Sequence, residues 1–235
     1  AAALAAPDPA TLAPIDRFAR PHVADPGRPA FVVLLADPGG PAVDREALAA
    51  LPFPVTFVID PALPDAGLAA DLYRAAGQEI ALLAPALPAD AGPADAEVAF
   101  EAAAAGVPQA VAAVLPPASV LQDSRDLAQQ TVDILQAQGR GLVSWDRGLN
   151  AAGQIAARQG LRSAVVFRPL DAEGEATPVI RRYLDRATFR AAQEGLVIVY
   201  GTARPETVAA LLEWAVEGRS AMVQFAPLTA VLRAP

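Results

Sequence analysis

The chain lacks cysteine and lysine altogether and has one histidine in 235 residues. Without cysteine there is no disulfide, no zinc–thiolate centre and no thiol nucleophile. Such a chain is compatible with an oxidising compartment without requiring one. The single imidazole, His22, stands in a proline-rich stretch. No apolar run reaches about 18 residues without proline or charge, so no transmembrane helix is expected. Ala1 to Ala6 has neither a basic start nor a long apolar core, so it does not read as a signal peptide. The first residue is not Met, and the chain reads as a mature or excised piece.

What is present is acidic and rich in alanine. The net charge is −8, and all 18 basic residues are arginines scattered along the chain. A surface of this sign repels phosphate backbones, so nucleic acid is not an expected partner. Arginine without lysine, beside so much Ala and Pro, reads as coding bias and not as a binding feature.

Residues 1–29 carry Pro7, Pro9, Pro14, Pro21, Pro26 and Pro29 with little periodicity, and read as a linker or leader outside the domain. The domain is expected over 30–235. Its first element, Phe31-Val32-Val33-Leu34-Leu35, is a short continuous apolar run, as in a strand buried on both faces. Similar runs recur at Val55–Ile59, Ile80–Leu83, Val111–Leu115, Leu142–Ser144, Ala164–Phe167, Leu196–Tyr200 and Met222–Phe225.

Amphipathic stretches lie between them. Leu68, Leu72 and Ala75 are expected to share one buried face before Gly77. Leu127, Thr131, Ile134 and Leu135 share another before Gly139. Val208, Leu211, Leu212, Ala215 and Val216 form a third, with Pro205 near its start and Gly218 after it. The alternation predicts an α/β fold with a mostly parallel barrel or distorted barrel of about seven or eight strands. In such barrels active sites sit at the C-terminal strand ends.

Taken in order, those strand ends resemble the divergent polysaccharide deacetylase family, a bacterial envelope branch related to NodB-type carbohydrate esterases. Leu51-Pro52-Phe53-Pro54-Val55-Thr56-Phe57-Val58-Ile59-Asp60-Pro61 resembles its "LP-x-x-VTFA-x-x-P" second strand. Gly77-Gln78-Glu79-Ile80 resembles its "GHEV", and Gly201-Thr202-Ala203-Arg204-Pro205-Glu206-Thr207 its late "GHPHPET". Val143-Ser144-Trp145-Asp146-Arg147 is similar to its "DSR" strand. The resemblance spans about residues 30–232 and implies a NodB-like barrel, a carbohydrate ester or amide as substrate, and a periplasmic or envelope location.

The same resemblance implies a divalent metal held by an Asp and two His, with a carboxylate base and a His acid. This chain departs from that set. The first strand ends Ala36-Asp37-Pro38-Gly39-Gly40, with one aspartate where the family has two. Leu83-Ala84-Pro85 has no His before its Pro, and Pro116 stands at the His position of the fourth strand, with Ser119 retained. Thr202 and Arg204 replace the two late histidines. The expectation is therefore a degenerate member that binds no metal or other cofactor, with no catalytic set beyond a remnant candidate, Asp37.

Asp37, Trp145, Asp146 and Arg204 are the candidate ligand contacts. Each has a plainer alternative. Asp37 can cap the turn into Gly39, and Asp146 can pair with Arg147 or another rim arginine. Trp145 can be barrel packing and not a sugar platform, and Arg204 can be a solvated residue at a helix start. Tyr200 reads as packing, and Ser119 as an N-cap because no base accompanies it. Three functions stay open: a non-catalytic envelope domain that binds a glycan or protein, a hydrolase with an unfamiliar carboxylate set, and a scaffold within a membrane-anchored protein.

Overall fold

The computed structural model describes residues 11–232. After a short helix α1 (Pro14–Arg17), strands and helices alternate: β1 (Ala30–Asp37), α2 (Arg45–Ala49), β2 (Thr56–Ile59), α3 (Ala66–Ala75), β3 (Glu79–Leu83), α4 (Pro93–Gly106) and β4 (Ala112–Val114). The chain continues through α5 (Val120–Asp123), α6 (Arg125–Gln138), β5 (Gly141–Trp145), α7 (Ala151–Gln159), β6 (Ser163–Val166) and β7 (Arg168–Pro169). It closes with α8 (Thr177–Glu194), β8 (Leu196–Thr202), α9 (Pro205–Ala215) and β9 (Gln224–Phe225).

Every strand pairing is parallel, in the order β6-β5-β4-β3-β2-β1-β8-β7. One residue, Phe167, separates β6 from β7, and its N–H donates to the Ile198 carbonyl at 2.9 Å. The β6–β7 stave thus touches β5 on one edge and β8 on the other, and the sheet curls into a nearly closed barrel. The run expected as a strand over Met222–Phe225 shortens to β9. It pairs only with Ala30 and Phe31, at the base of β1 and off the main path.

Both sheet faces are apolar for different reasons. Phe31, Val33, Leu35, Phe57, Ile80 and Leu82 face the surrounding helices. Val32, Leu34, Val58, Ala81, Val114, Val143 and Ile198 fill the lumen. This two-sided burial makes each strand a continuous apolar run.

The described part of the expected leader is docked on the barrel. Ile15 is buried in the lumen cluster with Val231 and Leu232, so both segments plug the floor, at the N-terminal strand ends. Gly141 opens β5 beneath this plug, where an added Cβ would lie 2.7 Å from Leu232 Cδ1 and 3.2 Å from Ile15 Cδ1.

Two helices turn differently from the expected faces. In α3 the buried residues are Ala66, Ala69, Ala70 and Tyr73, while Leu68 is 75% exposed. The large Tyr73 ring, stacked on Phe57 with centroids 3.7 Å apart, sets that face. In α9 Thr207, Ala210, Leu211 and Trp214 are buried and Val216 is 87% exposed. There Trp214 packs on Phe31 at 4.9 Å and rotates the stripe by about one residue. In α6, Leu127, Thr131, Ile134 and Leu135 are all buried, and Gly139 ends the helix in the left-handed region.

Candidate functional site

The C-terminal strand ends form the mouth of the barrel, opposite the plugged floor. At the end of β1, Asp37 follows Val33 and Leu35 in parity and so lies on the helix side of the sheet, away from the lumen. It is buried and fully engaged. Its Oδ1 accepts the Gly39 N–H at 2.7 Å, which caps the turn. Its Oδ2 accepts Arg45 Nε at 2.7 Å and the Tyr73 hydroxyl at 2.9 Å. Arg45 also reaches Asp65 at 2.7 Å. Burial, then the Asp37 charge, pushes the Tyr73 phenol well above its usual range, so it stays a donor. The two carboxylates likewise hold the Arg45 guanidinium firmly protonated.

At the end of β5, Trp145 is 5% exposed and belongs to the lumen cluster. Its indole N–H donates to the Leu115 carbonyl at 2.6 Å, and its ring meets Tyr200 edge-on at 5.3 Å. Gln122 clamps this strand end: it accepts the Trp145 N–H at 3.0 Å and donates to the carbonyls of Trp145 and Arg147 at 3.1 and 3.0 Å. Asp146 is exposed beside a groove of about 240 Å³ that also involves Asn150, Phe167 and Arg190. The expected Asp146–Arg147 pair does not form, because Arg147 turns to donate to the Pro117 carbonyl at 2.7 Å. Asp146 has no protein partner among the described residues.

At the end of β8, Arg204 is the N-cap residue of α9. Its guanidinium donates to the Glu175 carbonyl at 2.6 Å and to Glu206 at 3.2 Å. The neighbouring Asp171 accepts the Thr202 N–H at 2.8 Å and the Thr207 hydroxyl at 2.6 Å. Burial, with the Asp171 charge, pushes the Tyr200 phenol up to about 12. Arg204 and the Pro38–Gly39 turn line one groove of about 430 Å³, whose walls include Val43, Leu48, Leu51, Val208 and Leu212.

A further depression of about 360 Å³ opens between the ends of β2, β3 and β4 and helix α4. Leu83, Ala84, Pro85, Pro116 and alanines of α4 line it, with Asp60 at the edge. Asp60 Oδ1 accepts the Ala62 N–H at 2.9 Å. Ser119 caps α5 by accepting the Leu121 N–H at 3.2 Å.

The structure therefore places Asp37 and Arg204 at adjacent strand ends, Asp146 beside a different groove, and Trp145 inside the barrel. No single cavity among the described residues holds all four. Nor do the described residues include a group of three His, Cys, Asp or Glu side chains able to hold a metal ion. Methyl and pyrrolidine groups offer a divalent ion no donor, so the residues at the mouth do not fit the implied metal. Tyr73, Arg45 and Gln122 organise the mouth but stood out by no pattern in the sequence. Each acts through a contact at least 23 residues distant or from a neighbouring helix.

The sequence profile described as divergent polysaccharide deacetylase matches residues 33–232. No curated protein is similar in sequence at a significant level. Among solved structures, an uncharacterized protein of Agrobacterium tumefaciens C58 is similar at a TM-score of 0.81, 16% identical, covering 93% of this chain and 95% of that one. A family 4 carbohydrate esterase from Streptomyces lividans, solved with acetate, is similar at 0.56 and 13% identity, over 88% and 97% of the two chains. The catalytic domain of a peptidoglycan N-acetylglucosamine deacetylase from Eubacterium rectale ATCC 33656 is similar at 0.52 and 14%, over 94% of each. At these identities the likeness establishes a shared fold.

Proposed function

We propose that this chain, which belongs to the divergent polysaccharide deacetylase family, is a catalytically degenerate member that acts in the bacterial envelope by binding a glycan or an envelope protein. One observation carries the reading: Leu83, Ala84 and Pro116, at the strand ends where the family resemblance calls for histidines, form an apolar wall at the mouth. Acetamide hydrolysis needs an activated water, a stabilised oxyanion and a proton for the leaving amine. A wall of methyl and pyrrolidine groups supplies none of these.

In this reading Asp146 and Arg204 are the rim contacts, while Asp37 and Trp145 support the strand ends from behind. The periplasmic setting, with a tether to the inner membrane through a segment outside this sequence, rests on the family alone. No helix among the described residues is long and apolar enough to cross a membrane. The apolar groove between α2 and α9 favours a second reading, in which the ligand is a protein segment.

The test is acetate release from N-acetylated glycans with added Zn²⁺, Co²⁺ or Ni²⁺, comparing wild type with Asp37→Ala. We expect no turnover, together with saturable binding to peptidoglycan fragments that weakens in Arg204→Ala or Asp146→Ala. Turnover that Asp37→Ala abolishes would overturn the proposal.

A further inference from the structure

One buried carboxylate joins three distant parts of the chain at the barrel floor. Glu79 opens β3 and is 0% exposed. Its Oε1 accepts the backbone N–H of Arg20, in the leader, at 2.8 Å. Its Oε2 accepts the backbone N–H of Thr229, in the C-terminal turn, at 3.1 Å, and the Thr229 hydroxyl bonds to Oε1. From β2 the Thr56 hydroxyl reaches Oε2 at 3.4 Å and also accepts the Leu228 N–H at 3.2 Å.

The charged groups facing Glu79 are two arginines, and neither touches the carboxylate. The Arg20 guanidinium is turned to Gln78 Oε1 at 2.7 Å. The guanidinium of Arg74, on α3, is spent on the carbonyls of Phe18 and Gln78, both at 2.9 Å. The C-terminal turn and β2 present only neutral hydroxyls and amides.

We propose that Glu79 is a pH-sensitive latch: in its neutral form it holds the leader and the C-terminal turn on the barrel floor, and its ionisation favours a state in which the leader has lifted away. A carboxylate taken from water without a contacting cation favours its protonated form. The surrounding donors oppose this, but burial prevails and raises the Glu79 carboxyl above the usual glutamate range. Once the leader lifts, water reaches the carboxylate and it titrates as an ordinary glutamate.

The sign follows from linkage. Below the ordinary glutamate range both states are protonated, and pH has no effect through this group. Above it the lifted state releases a proton that the docked state keeps. The lifting constant then rises by up to about tenfold per pH unit, until pH passes the raised value of the docked state. This device is independent of what the mouth binds.

The experiment is hydrogen exchange by mass spectrometry on the whole chain from about pH 4 to 8, the span that brackets a raised glutamate. Rates are corrected for intrinsic exchange, and peptides over residues 15–20 and 228–232 are compared with one over β1. We expect protection of the leader peptide to fall with rising pH, by no more than about tenfold per pH unit, β1 to stay constant, and Glu79→Gln to flatten the profile. A wild-type profile that is flat or rises with pH would overturn the latch, as would a fall that persists in Glu79→Gln. Should Glu79→Gln fail to fold, ¹³C titration of the wild-type Glu79 carboxyl decides: a midpoint above the ordinary glutamate value supports the latch, and one at or below it refutes it.

Discussion

The Tyr73 hydroxyl donates across 2.9 Å from α3 to Oδ2 of Asp37, the oxygen that also accepts Arg45 Nε. The one carboxylate left at the end of β1 is thereby committed to joining the strand to two helices. A stacked Phe57 holds the Tyr73 ring in place, so the contact is fixed from both ends.

Asp37 should accordingly act on stability. Asp37→Ala strands a buried phenol and removes one of the two acceptors of Arg45, at a cost of about 3 kcal/mol. Asp37→Asn keeps an acceptor and should cost about 1–2 kcal/mol, and Tyr73→Phe about 1 kcal/mol. Urea unfolding midpoints give the order. Equal midpoints for Asp37→Ala and wild type would show that the network contributes nothing.

A second expectation concerns metals. Titration calorimetry with Zn²⁺, Co²⁺ and Ni²⁺ should show no saturable binding at the mouth, and Pro116→His alone should not create it. One imidazole beside Leu83 and Ala84 falls short of the three protein ligands that such sites use. A stoichiometric, chelator-sensitive ion lost on mutation of Asp37 or Asp60 would contradict this.

Gly141 is the tightest point of the floor. Gly141→Ala must push Leu232 and Ile15 aside, and the Arg162 carbonyl 3.1 Å away cannot yield easily. Overpacking of this kind costs about 1–3 kcal/mol. Trimming Leu232 to Ala in the same chain should recover part of the loss, because the clash and the cavity coincide. Thermal and urea unfolding of the two single variants and the double variant measure the coupling.

Alkaline pH should expose Tyr200. Its phenol is raised to about 12 in the folded chain, against about 10 in the unfolded one. The folded state therefore keeps a proton that the unfolded state loses. Stability is unaffected by this group below about pH 10 and falls by about 1.4 kcal/mol per pH unit between about pH 10 and 12. Tyr200→Phe should remove that slope. An unchanged alkaline slope in the variant would assign the loss to other groups.

Much of the architecture was legible in the sequence. The continuous apolar runs marked the main barrel strands from Phe31 to Tyr200, and Gly139 and Ser119 act as the helix stop and cap expected of them. Facing was not legible. When lumen and helix sides are both apolar, alternation along a strand vanishes, so nothing in Phe31–Asp37 indicated that Asp37 turns to the helices. Alanine-rich helices mislead similarly: in α3 the larger apolar Leu68 is exposed while small alanines pack the sheet. The resemblance at Gly77–Ile80 identified Glu79's segment, but its partners Arg20 and Thr229 lie 59 and 150 residues away, and no local pattern announces them.

The floor plug also decides how the molecule answers a mechanical pull. The described chain enters at the floor through Ile15 and leaves it through Leu232, so tension between residues 11 and 232 is applied on a single face. It is taken first by the plug that Ile15, Val231 and Leu232 form and by β9, which is attached to Ala30 and Phe31 at the base of β1. The remaining staves, joined edge to edge around the barrel, are not in series with that force. Asp60, Asp146 and Arg204 sit at the far ends of those staves. Their spacing is insulated from stretching until the plug gives way.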